Sequence, residues 1–201
     1  CLGIPAMTAW HAVEVSGIGK GSSVLVTGGA GGVGHYAIQF AKARGATVLT
    51  TISGDAKADL ARKAGADHCI NYRTENVGER VMAATAKKGV DAVIDMDFSS
   101  NAKLAPAILH PRSRFVVYGN SQPEATIPSQ FMLTNFIGIQ YIFVYELTAQ
   151  ERASAVNGIT KMLEDKTLIH NVALTLPLAE IHAAHEAVEQ GKALGNVVVT
   201  L

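Results

Sequence analysis

Residues Ser23-Val-Leu-Val-Thr27 run straight into Gly28-Gly-Ala-Gly-Gly-Val-Gly34, and an alanine-rich helical pattern from His35 to Arg44 follows without a break. That order of strand, glycine turn and helix leaves the chain few folds to adopt. Aliphatic, β-branched residues favour an extended strand. Glycine lets the backbone turn tightly and approach a bound group, because no Cβ stands in the way. The helix behind the turn presents its free N–H groups and positive dipole end to it, which makes a seat for a phosphate or pyrophosphate. Gly29-x-Gly31-x-x-Gly34 fits the dinucleotide fingerprint in the strand–turn–helix context that the fingerprint requires.

Two other owners of such a loop are excluded by neighbouring residues. A phosphate loop of the ATPase kind ends in Gly-Lys-Ser/Thr, whereas Gly34 is followed by His35 and Tyr36. The spacing Thr27-Gly28-x-x-x-Gly32-x-Gly34 also suits short-chain dehydrogenases, which need Lys four residues after a catalytic Tyr. None of Tyr36, Tyr72, Tyr118, Tyr141 or Tyr145 has one. A plain turn would gain nothing from so many glycines, each of which adds unfolded-state entropy.

The remaining pattern alternates. A helix is expected over 2–16, strands over 23–27, 46–52, 67–71, 90–95 and 114–118, and helices over 33–44, 55–64, 74–87 and 99–109. Repeated strand–helix units with near-continuous apolar strands predict an α/β fold with a doubly wound parallel sheet and helices on both faces. Ligands of such sheets sit beyond the carboxyl ends of the strands, where Gly28, Ser53, Tyr72, Asp95 and Gly119 fall. Past Asn120 come a loop over 121–128, an apolar stretch over 135–145, and a helix over 148–164 with a Thr148/Glu151 capping box. A strand–helix–strand tail over 172–176, 178–190 and 196–201 completes the chain.

At the tip of the second strand, Thr50-Thr-Ile-Ser-Gly-Asp-Ala-Lys57 places Ser53 where an NAD site would carry a carboxylate, with Lys57 one turn later. A small hydroxyl and an ammonium suit the 2′-phosphate of NADP, so NADP(H) is the expected cofactor. Asp55 would cap the next helix or reach the ribose. Asp95 and Asp97 would touch ribose or serve the turn before Ser99. His182 and His185 read as helix-surface residues, Cys69 as a buried small hydrophobe, and Tyr141 and Tyr145 as interface packing.

Bulk properties narrow the class. With 48% hydrophobic and 17% charged residues the chain has the makings of a well-buried core. Lys+Arg and Asp+Glu balance at 17 each, so nothing draws the chain to nucleic acid or an anionic membrane, and no apolar run is long enough to span one. Two cysteines suit a reducing compartment, and a cytoplasmic location is expected. The first residue is Cys, so the natural N-terminus is expected to lie upstream.

Six motifs in order resemble the medium-chain dehydrogenase/reductase superfamily, and within it the zeta-crystallin-type NADPH:quinone oxidoreductases. They are Gly3-Ile-Pro-Ala-Met-Thr-Ala-Trp10, the loop 23–34, Gly65-Ala-Asp-His-Cys-Ile-Asn-Tyr72, Gly89-Val-Asp-Ala-Val-Ile-Asp95, Arg114-Phe-Val-Val-Tyr-Gly119 and Gly195-Asn-Val-Val-Val199. The resemblance implies a Rossmann-type domain over 1–173 and a segment over 174–201 that returns to a GroES-like catalytic domain absent from this chain. It implies that Ala30, Gly31, Gly32 and Val33 hold the pyrophosphate and that Ser53, Lys57 and Tyr72 surround the 2′-phosphate. Asn101 and Tyr118, Gly119, Asn120 and Ser121 would line the path from adenosine to nicotinamide, with Gln140 and the Thr8 hydroxyl on the nicotinamide side. It further implies zinc-independent hydride transfer to a quinone or an α,β-unsaturated carbonyl, no catalytic residue of this chain's own, and a homodimer joined through the edge strand over 136–145.

Two departures from the family's wording stand near the crevice: Met96-Asp-Phe98 where a Ser-Val-Gly-like turn is frequent, and Arg112-Ser113 where Gly-Gly is usual. An enoyl-reductase module of a multidomain synthase, and a non-catalytic NADP sensor, share the loop and stay open as alternatives.

Overall fold

The computed structural model describes residues 2–191 and 193–201. Six strands, β1 (Ser23–Val26), β2 (Thr47–Ile52), β3 (His68–Asn71), β4 (Val90–Asp95), β5 (Leu109–Val117) and β6 (Gly138–Tyr141), form one sheet in the order β3-β2-β1-β4-β5-β6. Every pairing in it is parallel. A leading helix α1 (Ile4–Ser16) precedes β1, and α2 (Gly32–Ala43), α3 (Asp55–Lys63) and α4 (Val77–Ala84) connect the next strands. Short helices α5 (Phe98–Asn101) and α6 (Ala105–Ile108) lead into β5, α7 (Ser129–Thr134) into β6, and α8 (Ala149–Glu164) follows. The expected doubly wound α/β architecture is therefore the one observed. The strand order reverses between β1 and β4, and a crevice opens beyond the strand ends at that reversal.

Strand alternation divides the core in two. Val24, Val26, Val48, Ile52, Ala92, Ile94 and Val116 face one layer, built on α1, α2, α3 and α8. Leu25, Leu49, Ile70, Val93, Phe115 and Val117 face the other, built on α4 to α7. Successive side chains of a strand point to opposite faces, so a strand apolar at every position needs cover on both sides. Phe98, Phe115 and Tyr141 anchor the second layer edge-to-face, with centroids 5.2 and 6.0 Å apart.

Several elements differ from the sequence reading. The helix expected from Thr74 starts at Val77, because the Asn76 side chain accepts the Glu79 N–H and ends the preceding turn. Glu75 is occupied elsewhere, accepting the Asn71 N–H at 2.7 Å and pairing with Arg80 at 2.9 Å. The helix expected over 99–109 breaks into α5, a 3₁₀ turn Ala102–Leu104 and α6. Pro106 has no N–H for the carbonyl a turn earlier, so a continuous helix would lose that bond. β5 begins at Leu109 rather than Arg114, with a register shift against β4 that absorbs Arg112 at φ 71°. Helix α7 falls between the expected loop over 121–128 and the apolar stretch over 135–145, where no element is expected. The edge strand is shorter than 136–145, and Phe136 stands at φ 55° before it.

The tail forms its own unit. β7 (Val172–Pro177) and β8 (Asn196–Thr200) pair in parallel as a separate two-stranded sheet, crossed by α9 (Ile181–Glu189). It starts two residues before the expected boundary at 174. Among the described residues no helix is long and apolar enough to cross a membrane.

Helix α8 docks on α1 through Gly158. A Cβ there would overlap the Trp10 ring, which itself meets Phe40 edge-on at 5.2 Å and hydrogen-bonds Ser154. Gly158→Val should therefore lower the unfolding free energy by about 1–3 kcal/mol through overpacking, measured by urea denaturation with Trp10 fluorescence as the probe.

Candidate functional site

A cleft of about 750 Å³ lies beyond the carboxyl ends of β1, β2 and β4. Its floor is the glycine loop. Gly28 turns in the left-handed region at φ 68°, with its N–H donated to the Thr51 hydroxyl at 3.1 Å. The Gly28 carbonyl accepts the Gly31 N–H at 2.9 Å. The Thr50 hydroxyl donates to the Val26 carbonyl at 2.7 Å and ties the loop's root to β2. Gly34, in the first turn of α2, sits so close to the loop that a Cβ would lie 2.9 Å from the Gly28 carbonyl carbon. Only glycine allows that approach.

The start of α2 is open. Its N-cap is Gly31, in extended conformation, and among the described residues no side-chain oxygen caps the first turn. Two other helices carry side-chain caps: Asn76 accepts from Glu79 at α4, and Thr148 and Glu151 form a reciprocal capping box at α8. Uncapped first-turn N–H groups facing a cleft are donors awaiting an acceptor from outside.

The structure brings Ala30, Gly31, Gly32, Ser53, Lys57, Tyr72 and Asn101 together around this cleft. Ser53 and Lys57 are half-buried, and Tyr72 is exposed. Gly29, Val33 and Gly34 shape the loop and first turn without lining the cleft. Asp55 is the first residue of α3, behind an N-cap that is Gly54, and it neither caps by its side chain nor lines the cleft. Tyr118, Gly119 and Asn120 line a smaller adjoining cavity of about 290 Å³ with Tyr141 and Phe143. Ser121 is drawn to Asp97, donating through N at 3.0 Å and through its hydroxyl at 2.9 Å. Thr8 and Gln140 lie outside both cavities. The buried Thr8 hydroxyl donates to the Ile4 carbonyl at 2.7 Å, and the Gln140 amide donates to the Tyr141 carbonyl at 2.9 Å.

Sequence reasoning named Asp95 and Asp97 as ribose or turn residues, and Asp97 does serve the turn at Ser99, but it missed the links that hold the cleft in shape. The Asp95 carboxylate, fully buried, accepts the Thr27 hydroxyl at 2.7 Å and the Asn101 amide at 2.8 Å on one oxygen. Thr27 in turn accepts the Met96 N–H at 2.9 Å. One carboxylate thus joins the end of β1, the end of β4 and helix α5. Burial pushes its pKa up, and its hydrogen bonds from Thr27, Asn101 and Asp97 offset only part of that. Its second oxygen has no protein partner. Burial also raises the Tyr118 phenol, and the nearby Asp95 adds to it. Asp97 behaves oppositely: burial alone would raise it, yet the hydroxyls of Ser99, Ser100 and Ser121 hold it well below the usual carboxylate range. The links from Asp95 to Thr27 and from Asp97 to Ser121 join residues far apart in the chain and leave no local pattern. The cleft's apolar wall of Val77, Leu104 and Ile108, and its side formed by Gly191 and residues 193–195, were equally unforeseen.

Cys1 lies outside the described residues. Cys69 is half-buried, with its thiol toward the Ala58 carbonyl at 3.6 Å, and burial raises its pKa.

The strand order and the open glycine turn define a doubly wound domain of the nucleotide-binding type. The chain belongs to the zinc-binding dehydrogenase family, whose model matches residues 32–161, more than half of its length. It is 30% identical to a 2-haloacrylate reductase of Burkholderia sp., over 98% of this chain and 61% of that protein. A highly reducing polyketide synthase of Dothideomycetidae sp. is 27% identical over 96% of this chain but only 8% of its own length. Among solved structures, a 2-haloacrylate reductase superposes with a TM-score of 0.88 at 29% identity, over all of this chain and 64% of that one. A mycobacterial protein solved with NADPH superposes at 0.86 and 27% identity, over 98% and 62%. The chain thus spans about 61% of the curated reductase that it matches. The family's description names zinc. Among the described residues no three His, Cys, Asp or Glu side chains come together to hold a metal ion, and no step is derived through one.

The raised Asp95 pKa fixes the sign of a pH effect. A carboxyl that binds its proton more tightly when folded contributes stability below its unfolded pKa and loses it as pH rises through the elevated folded value. Asp95→Asn keeps an acceptor for Thr27 and Asn101 and removes the buried charge. Its stability relative to the parent should therefore increase as pH rises from about 4, measured by chemical denaturation at stepped pH.

Proposed function

We propose that this chain is the NADP(H)-binding domain of a zinc-independent oxidoreductase that passes hydride to quinones or α,β-unsaturated carbonyls. The observation that carries the reading is the uncapped start of α2 facing the cleft that also holds Ser53 and Lys57. The relatives support it: one is named a haloacrylate reductase, another a quinone oxidoreductase, and a structural neighbour was solved with NADPH. When bound, the cofactor supplies the hydride. The residues of this chain supply position and dryness. The backbone N–H groups of Ala30 and Gly32, which line the cleft, seat the pyrophosphate at the bend that Gly31 and Val33 complete. The Lys57 ammonium, with Ser53 and Tyr72, meets the 2′-phosphate, and the absence of a carboxylate at Ser53 avoids repelling it. Val77, Leu104 and Ile108 offer an apolar wall to the adenine. Tyr118 and Asn120, in the smaller cavity, and Ser121, bonded to Asp97, are assigned to the path toward the reacting end. No catalytic residue is assigned to this chain, whose fold would meet a GroES-like partner domain through the unit over 174–201.

The enoyl-reductase reading is favoured by one observation, the match of 96% of this chain to a segment of a polyketide synthase. Turnover of enoyl thioesters and not quinones by the intact protein would decide for it.

Calorimetric titration tests the cofactor assignment. NADPH should bind more tightly than NADH, and Lys57→Ala should weaken NADPH by roughly tenfold or more, the worth of a hydrogen bond to a charged group, while leaving NADH unchanged. Equal losses for both cofactors would overturn the role of Lys57.

The free edge of the sheet is read as a homodimer contact. β6 pairs only with β5, and Phe136, Tyr141, Phe143 and Tyr145 are each more than half exposed along it. An unpaired apolar edge recruits a second strand, and a two-fold axis closes the pair. In sedimentation, Phe143→Lys with Tyr145→Lys, both at exposed positions, should convert a dimer to monomer without loss of the fold. A dimer unchanged by both substitutions would place the contact elsewhere.

A further inference from the structure

We infer that Met96 is an oxidation site that controls cofactor access to the cleft, an inference that rests on the NADP(H) reading above. Met96 is the residue that directly follows β4. Its backbone is fixed: the N–H is held by the Thr27 hydroxyl at 2.9 Å, and its carbonyl lies against Gly119. Its side chain lines the cleft with Ala30 and Gly31, and its sulfur lies against Gly28, in the space that a side chain at 28 would occupy. The thioether therefore stands beside the pyrophosphate seat.

Met96 is also the methionine most open to solvent, at 48% exposure. Met132 is buried in the second core layer. Met7 and Met162 pack against the first layer, and Met82 is half-buried on α4. A hydroperoxide that enters the cleft meets the Met96 sulfur first. The sulfur lone pair attacks the distal peroxide oxygen, the O–O bond breaks, and an S–O bond forms. The remaining oxygen leaves as hydroxide, or as alkoxide from an organic peroxide, and takes the proton that the new sulfur-bound hydroxyl releases, giving water or an alcohol. Sulfur is oxidised by two electrons and the peroxide reduced by two. Susceptibility of a methionine follows its exposure, and the product is polar, bulkier and reversible by sulfoxide reductases.

The consequence follows from the contact with Gly28. No room exists between sulfur and loop for an added oxygen, so the sulfoxide must swing outward over the turn. There it sets an electron-rich oxygen beside the N–H donors that an anion needs. Oxidation closes the seat without unfolding the domain, and reduction reopens it.

The test titrates the chain with NADPH before and after limited treatment with hydrogen peroxide, with peptide mass spectrometry to locate the added oxygen. The expected result is oxygen at Met96 ahead of the other four methionines and an affinity about tenfold lower, restored by methionine sulfoxide reductases. The same treatment of Met96→Leu should leave that variant's own affinity where it was before peroxide. Equal loss in Met96→Leu, or oxidation elsewhere first, or oxidation of Met96 with unchanged affinity, overturns the inference. Untreated protein that fails to bind NADPH overturns the cofactor reading, and this inference with it.

Discussion

The buried carboxylate of Asp95 is the link on which the geometry of the cleft depends. A parallel sheet ends at its switch point in three separate chain segments, each free to splay unless something ties them. Asp95 ties them through one oxygen, reaching Thr27 at the end of β1 and Asn101 on α5. Thr27 passes the link on to the Met96 N–H. Removing a carboxylate from water costs several kcal/mol unless hydrogen bonds replace its hydration, so this arrangement stands only because the donors converge. The raised pKa of Asp95 is the sign that the replacement is incomplete.

Asp97, two residues on, performs the complementary task in an exposed setting. Its hydrogen bonds to Ser99 and Ser121 join the β4 loop to the loop after β5. The two aspartates together hold the β4 side of the cleft, one by burial and the other by a ring of hydroxyls. The glycine loop supplies the opposite rim, kept in place by Thr50 and Thr51 of β2. The cleft is therefore built from β1, β2 and β4, the strands that flank the reversal of winding.

Much of this was legible in the chain. The alternation of apolar strands with helices predicts the doubly wound sheet because continuous apolar strands demand cover on both faces. The glycine spacing predicts the loop because close backbone approach is a local requirement, seen at Gly34 against Gly28. Ser53, Lys57 and Tyr72 were legible because strand ends in such a sheet converge. Less legible were the elements decided by competing local bonds. Pro106 divides an expected helix, and Asn76 starts another three residues late. The resemblance also placed Thr8 and Gln140 beside the cofactor, whereas their polar groups bond to nearby carbonyls of the backbone.

By itself, then, the sequence determined the fold class, the anion seat and the residues at the tip of β2, since each rests on local conformation or on strand periodicity. The tertiary structure decided which distant side chains meet. It set Asp95 under Thr27 and Asn101, laid the Met96 sulfur against Gly28, and brought the turn before β8 to the cleft's open side. Except for Asp95 with Asn101, six positions on, those contacts join residues tens of positions apart, and pairing at that range is chosen by packing of the whole sheet, not by any pattern within a segment.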